Sequence, residues 1–211
     1  MVRRIKKVTK NHPTRKRKKI IIVGTEGNNK TESLYLRNLE KTQEAYHFIF
    51  ASGNETDPVK ILRNTINKAK TEGISLKHGD LAISIFDLDL DNSKKDQLYH
   101  AKDISAKSNV VIVTSNPCFE VWYLEHFGYT SKSFNSNAEL IEEVKKHVPK
   151  YKKNTCDFEI LYPLTEDAIK NCEMLDGYHR INSSEDMFEY NNPRTDVYKI
   201  IKLITSERKT K

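Results

Sequence analysis

The chain reads as an α/β domain on a mainly parallel central sheet of about four strands, with a helical extension at its C-terminal end. Three observations carry this. Short β-branched runs alternate with helical segments of about 10–15 residues, the pattern of βαβ units. The alternation stops at Pro117, after which the patterns are helical. The length, 211 residues, suffices for one compact domain with an annex and not for two large ones.

The first ordered segment, residues 19–24, is Lys-Ile-Ile-Ile-Val-Gly, a β-branched run closed by glycine that reads as a buried strand. A helix follows from Lys30 to about Ala45, with Leu34, Tyr35, Leu36 and Leu39 as its apolar residues. His47 to Ala51 is the second strand. Asp57-Pro58 then opens a helix, Asp as N-cap and Pro in the first turn, where its missing N–H costs nothing. Val59, Leu62, Ile66 and Ala69 recur along it at helical spacing. Leu81 to Phe86 and Val110 to Thr114 are strands three and four, separated by a polar helix from about Ser93 to Lys107. Beyond Pro117, helices are expected at Phe119–Phe127, Asn137–His147, Thr165–Leu175 and Asp196–Glu207. The domain plan is a basic disordered tail (1–18), an α/β core (19–130) and a helical extension packed on it (131–211). No internal repeat is present.

Composition narrows the function classes. No apolar stretch approaches the roughly 20 residues needed to span a bilayer, and the basic N-terminus has no apolar segment behind it, so no signal peptide is expected. Cys118, Cys156 and Cys172 are odd in number, far apart and without a CxxC pair. Neither a disulfide framework nor a zinc site is expected, which favours a reducing cytoplasm. The net charge of +7 points to a polyanionic partner. Its distribution is uneven: residues 1–19 hold ten of the 36 basic side chains and no acid, so 26 basic and 29 acidic groups leave the rest at −3. The basic arm reads either as a solubilising tail or as a salt-sensitive attractor of nucleic acid.

In an open parallel sheet the working surface lies beyond the C-terminal ends of the strands. Strand one is followed by Thr25-Glu26-Gly27-Asn28-Asn29-Lys30-Thr31-Glu32. Strand three runs into Asp87-Leu88-Asp89-Leu90-Asp91, and strand four into Ser115-Asn116-Pro117-Cys118-Phe119-Glu120. Three loops therefore bring carboxylates to one rim. A DxD at a strand end, with Glu26 nearby, suits one or two Mg²⁺ (or Mn²⁺) ions, which take a few hard oxygen ligands and keep several waters. Ions held this way can stabilise attacking and leaving oxygens in phosphodiester cleavage. The structural alternative is that strand ends carry Asp simply to cap the next helix.

Three look-alikes fit less well. Residues 24–31 imitate a phosphate-binding loop, but Asn29 stands where that loop needs glycine before the lysine. Phe86-Asp87-Leu88-Asp89 resembles the nucleophile motif of haloacid-dehalogenase-type phosphatases, but it lies on the third strand and lacks the following Gly-Thr. The Asp87, Asp89, Asp91 alternation lacks the glycine and terminal glutamate of an EF-hand loop.

The order Glu-Gly after strand one, then DxD after strand three, resembles Toprim domains. The longer strings Ile22–Gly27, Lys30-Thr31-Glu32 with Tyr35, and above all Asn116-Pro117-Cys118-Phe119-Glu120-Val121-Trp122, resemble the RloB family. The likeness runs from about Lys19 to the end of the chain, including Tyr151-Lys152-Lys153 and Pro193–Thr195. It implies a Toprim-like three-layer fold. It also implies a role in bacterial anti-phage defence beside an ABC/SMC-like ATPase partner, as in the abortive-infection pair of AbiL type. The related Toprim effector of the PARIS system acts on tRNA, which makes RNA a target to test alongside DNA. One departure is visible: the family often reads Asp-x-Asp-Asp-His after strand three, whereas here the third acid, Asp91, is displaced by one position.

Glu26, Asp87 and Asp89 are therefore the expected metal ligands, Glu26 doubling as general base on the attacking water. Asp91 is a further candidate ligand. Glu120 is a candidate catalytic residue near the metal or an electrostatic stabiliser of its helix N-terminus. Asn116, Lys30 and Lys152 are candidate substrate-binding residues, Asn116 alternatively fixing its loop. Lys153 is a candidate for neutralising transition-state charge. Glu32 fits a place behind the ligands or in the first turn of its helix. Trp122, Tyr123 and Phe127 are expected in the core, and none of the seven histidines is expected to ligate. Two functions follow: a metal-dependent nuclease effector under ATPase control, or a non-catalytic subunit that binds nucleic acid or the ATPase.

Overall fold

A computed structural model describes residues 17–51, 53–183 and 189–206. The expected basic tail falls outside these residues up to position 16. In chain order the elements are β1 (Lys19–Gly24), α1 (Thr31–Lys41), β2 (Tyr46–Phe50), α2 (Pro58–Glu72), β3 (Leu81–Asp87), α3 (Lys94–Ser108) and β4 (Val111–Asn116). There follow α4 (Glu120–Leu124), α5 (Asn137–His147), α6 (Phe158–Leu161), α7 (Thr165–Asn182), β5 (Arg194–Thr195) and α8 (Val197–Ser206).

Among the described residues the sheet has five strands in the order β2-β1-β3-β4-β5, parallel except for β5. Period-two alternation divides its side chains between two faces. Ile21, Val23, Ile83, Ile85 and Val113 face a large core with α1, α4, α5, α7 and α8 residues. Ile22 and Ala82 face the other way, against Val59 and Leu62 of α2 and Ala101 of α3. The expected three layers are present, and the α/β architecture agrees with a Toprim-like fold. The single large cluster runs from Ile21 to Ile204, so the C-terminal helices share the core of the sheet.

Local chemistry explains the helix ends. Asp57 accepts a hydrogen bond from the Lys60 N–H (3.0 Å), Pro58 opens α2, and Gly73 closes it in the left-handed region at φ +60°. Ser136 caps α5 through the Glu139 N–H (3.1 Å), and Glu139 reaches back to the Asn135 N–H (2.9 Å). Helix α4 is shorter than the expected 119–127, and α7 extends seven residues past Leu175 to Asn182. The short strand β5 and helix α6 carry too few residues to show a period in sequence.

Strand β1 must pass close to α2. A Cβ on Gly24 would lie 1.9 Å from the Thr65 hydroxyl oxygen, itself fixed by bonds to the Ile61 carbonyl (2.8 Å) and from Ser84 (2.9 Å). At the other end of β1, buried Asp80 accepts from the Ile20 and Ser75 amides (2.8 and 2.9 Å) and pairs with Arg17. Burial would raise its pKa; the two amides and Arg17 outweigh that and hold it low.

Candidate functional site

The chain leaves β1 toward β2 on one side and returns as β3 on the other, so the order of connection reverses between β1 and β3. A crevice at such a reversal, outside the C-terminal strand ends, is where open α/β sheets bind ligands. Glu26 follows β1 by two residues and Asp87 ends β3, one on each side of that crevice. Glu32 rises from the first turn of α1, and Glu120 from the start of α4 beyond β4.

These groups sense one another. Burial pushes the Asp87 carboxyl well above its usual pKa, and Glu32, Glu120, Glu26 and Asp89 push it further. Burial, with repulsion from Glu26 and Glu120, takes Glu32 to about 7 against a partial offset from its own backbone N–H. Glu26 is raised as well: burial and Asp89 outweigh the attraction of Lys94, Lys30 and Lys153.

Each remaining acid has a different set of partners. The Glu120 carboxylate is 1 % exposed; its Oε1 accepts from Tyr151 Oη (2.6 Å) and Thr31 Oγ1 (3.3 Å), and its Oε2 has no hydrogen-bond partner. Such a group is built into the site and is not a solvated helix-end charge. Asp89 is held at the rim by Lys94 Nζ (2.5 Å) and Asn137 Nδ2 (2.7 Å), and Lys94 also donates to the Asp87 carbonyl (3.0 Å). Asp89 and Leu90 both have positive φ, +52° and +58°, which non-glycine residues occupy at a cost of about 1–2 kcal/mol each. The turn that aims Asp89 is held by its N–H bond to the Pro117 carbonyl (2.9 Å).

The cations flank the acids. Lys30 pairs with Glu26 at 3.7 Å. Lys153 is exposed on the loop after Tyr151; burial would lower its pKa, but Glu120, Cys118, Asp87 and Asp89 raise it on balance. Loop position follows from Tyr151, whose hydroxyl anchors to Glu120, and from the Asn154 N–H, which donates to Thr31 Oγ1 (3.1 Å).

Three of the sequence candidates stand apart from this group. Asp91 is exposed and accepts the Ser93 N–H (2.8 Å), a turn bond leading into α3. Lys152 is exposed, its backbone N–H bonded to Thr155 Oγ1 (3.4 Å). Asn116 is buried and donates its amide to the carbonyls of Tyr190 and Asn191 (2.8 and 3.2 Å), so it fixes the return to β5. Trp122 and Tyr123 are fully buried and Phe127 partly so, all packed in the core. Sequence reading did not assign Lys94 and Asn137, which hold Asp89, or Thr31 and Tyr151, which hold Glu120. The place of Lys94 in the first turn after the DxD loop was the available cue; Asn137 comes from a helix 48 residues away and had none.

All the donors are oxygens, and two features fit a hard divalent cation. Burial and like charge hold Asp87, Glu32 and Glu26 above their usual pKa despite the lysines at the rim, and one oxygen of buried Glu120 is unpartnered. Among the described residues, no three carboxylate, imidazole or thiol groups stand close enough together to form a complete protein cage for an ion. A magnesium ion held by one or two carboxylates and several waters does not require one.

A sequence model of the RloB-like protein family matches residues 21–204, most of the chain. The chain belongs to the RloB-like family. That span runs from β1 into α8 and so includes Glu26, Asp87, Asp89, Glu120 and Lys153. The family is associated with defence systems. No curated protein and no solved structure matches the chain. The three cysteines are free, and among the described residues no helix is long and apolar enough to cross a membrane.

Proposed function

We propose that this RloB-like chain is a metal-dependent nuclease effector of an anti-phage defence system. It would cleave phosphodiester bonds in nucleic acid, with RNA, including tRNA, as the first substrate to test and DNA as the second. The observation that carries the reading is the half-buried Asp87 at the end of β3, beside the β1/β3 crevice, with four other acids whose charges oppose its ionisation. A bound cation would offset that repulsion and favour the ionised carboxylate.

Asp87, Glu26 and Asp89 would hold Mg²⁺ or Mn²⁺, Asp89 by exchanging Lys94 for the ion. When bound, the metal would polarise the phosphoryl oxygen and lower the pKa of the attacking water. Glu26, with its raised pKa and partial exposure, would act as the general base that takes the proton from the attacking water as the oxygen–phosphorus bond forms. Glu120 and Glu32 set the negative field behind it. Lys153, facing the acids from the opposite loop, neutralises charge on the phosphoryl oxygens as the bond to the leaving oxygen breaks. The basic N-terminal arm supplies sequence-blind attraction to the polyanion, and the ATPase partner would hold or release the activity.

The test is cleavage of tRNA and DNA panels with Mg²⁺ or Mn²⁺ by wild type, Glu26→Ala and Asp87→Ala, with the ATPase co-expressed and absent. Loss of at least 100-fold in both variants is expected; equal cleavage by all three proteins sinks the assigned site. Removing residues 1–16, which spares the Arg17–Asp80 pair, should weaken nucleic-acid affinity and flatten its salt dependence. A second reading has an observation of its own. Glu26 and Asp89 are already paired with Lys30 and Lys94, an arrangement that also suits a non-catalytic binding subunit. Variants that bind nucleic acid or the ATPase normally, in a protein that cuts nothing with either metal, would establish it.

A further inference from the structure

Beside the carboxylate crevice lies an open surface cavity of about 340 Å³, lined by Gly27, Asn28, Asn29, Lys30, Asn54 and Asn154, its four asparagines exposed. Its volume is at the lower end of small-molecule sites, about 300–1,000 Å³. Its chemistry is unlike that of the crevice: four side-chain amides, one cation and no acid. Lys30 is committed to Glu26 at 3.7 Å. No hydrogen bond to a described residue uses any of the four amide side chains.

The cavity is fixed to the crevice on both sides. Gly27 and Lys30 belong to the loop that carries Glu26. Asn154 directly follows Lys153, and its backbone sits at φ +64° with its N–H on Thr31 Oγ1, which in turn donates to Glu120. One turn therefore aims Lys153 at the acids and Asn154 at the cavity. A Cβ on Gly27 would come within 3.3 Å of Asn54 Oδ1, so the Asn54 amide lies close against the loop that carries Glu26.

Each amide offers a donor and an acceptor side by side, the complement of a nucleobase edge. A phosphate would instead call for unpaired cations, and a stacked base for an aromatic wall; the lining has neither. We propose that this asparagine-lined cavity is a base-reading subsite, which takes by its hydrogen-bonding edge the unpaired nucleobase next to the phosphate held at the crevice. The inference rests on the reading that nucleic acid crosses the carboxylate rim. It makes Asn54 and Asn154 specificity residues and leaves the chemistry to the acids.

The experiment uses the full chain and four fluorescent hexaribonucleotides, A6, C6, G6 and U6, with anisotropy read in EDTA so that nothing is cut. Wild type should bind one of them at least fivefold tighter than the weakest. Asn54→Ala and Asn154→Gly, the latter retaining a residue at ease with positive φ, should each bring that ratio close to one, while Asn67→Ala, remote on α2, leaves it intact. Absence of preference in wild type, or an unchanged ratio in both cavity variants, overturns the proposal. Cut sites mapped with Mg²⁺ separate the two readings. Cleavage at the same bases by wild type and both variants removes the subsite alone. A base preference lost in the variants, in a protein that never cleaves, keeps the subsite and removes the nuclease.

Discussion

Two acidic clusters flank strand β4, and they are neutralised in opposite ways. On the β5 side, Asp176 and Asp196 are buried with Arg194, whose guanidinium forms a two-bond pair with Asp196 (2.7 and 3.0 Å) and approaches Asp176 at 3.4 Å. Lys199 joins both acids, Tyr198 donates to Asp176 (2.9 Å), and Thr114 donates to Asp196 (3.1 Å). Burial would raise Asp196, but Arg194 and Lys199 outweigh it and hold the carboxyl below its usual range. On the β3 side, burial and like charges act together and Asp87 rises instead. The first cluster carries its own counter-charge and ties α7, β5 and α8 to the sheet. In the second, Lys30 and Lys94 pair with Glu26 and Asp89 at the rim, and burial and like charge still prevail at Asp87, where this topology binds ligands. Acid count alone would not separate a clamp from a site; the local balance of cations does.

The largest test breaks the clamp. Arg194→Leu leaves two buried carboxylates without their main partner and should cost about 3–5 kcal/mol in denaturant unfolding. A loss under 1 kcal/mol would show that the clamp is not what secures β5. Next, Tyr151→Phe removes the shortest bond to Glu120. A loss of about 1–3 kcal/mol is expected, together with weaker metal binding by titration calorimetry, because the loop bearing Lys153 is released.

At the rim the sign reverses. Asp87→Asn removes an acid crowded by like charges, so the metal-free protein should gain about 1 kcal/mol while losing the thermal stabilisation that Mg²⁺ gives wild type. A destabilised Asp87→Asn would make Asp87 a structural acid like Asp196.

The smallest effect is in pH. Glu32 titrates near 7 and Glu125, buried elsewhere in the core, near 8, both above the ordinary 4.5. The folded state therefore holds protons that the unfolded state has released, and metal-free stability falls as pH rises. Buried His126 and His179 are pushed below their ordinary 6.5 and act in the opposite direction only under that pH, so the window to measure is 6.5 to 8. Glu32→Gln and Glu125→Gln should each flatten the melting temperature against pH there, and Mg²⁺ should flatten only the share due to Glu32.

The legible parts of the sequence were those with local causes. Ile21, Ile22 and Val23 announce a strand buried on both faces, and Asp57-Pro58 announces a helix start, because pairing of neighbours along the chain decides both. The rim was legible too, since parallel topology sends residues just past each strand to one edge, and Glu26, Asp87 and Glu120 arrive there together. The other candidates depended on contacts far apart in sequence. Asp91 turns to the Ser93 amide and Asn116 to the carbonyls of residues 190 and 191, and nothing near either residue in the chain indicates those partners.

The sequence by itself determined the βαβ order, the two-faced core and the loops that carry acids, because hydrophobic period and capping act over a few residues. Only the tertiary structure decided which acids are compensated. Arg194 reaches Asp176 across 18 positions and Tyr151 reaches Glu120 across 31. Whether a carboxylate is a clamp or a ligand depends on charges that folding alone brings within a few ångströms.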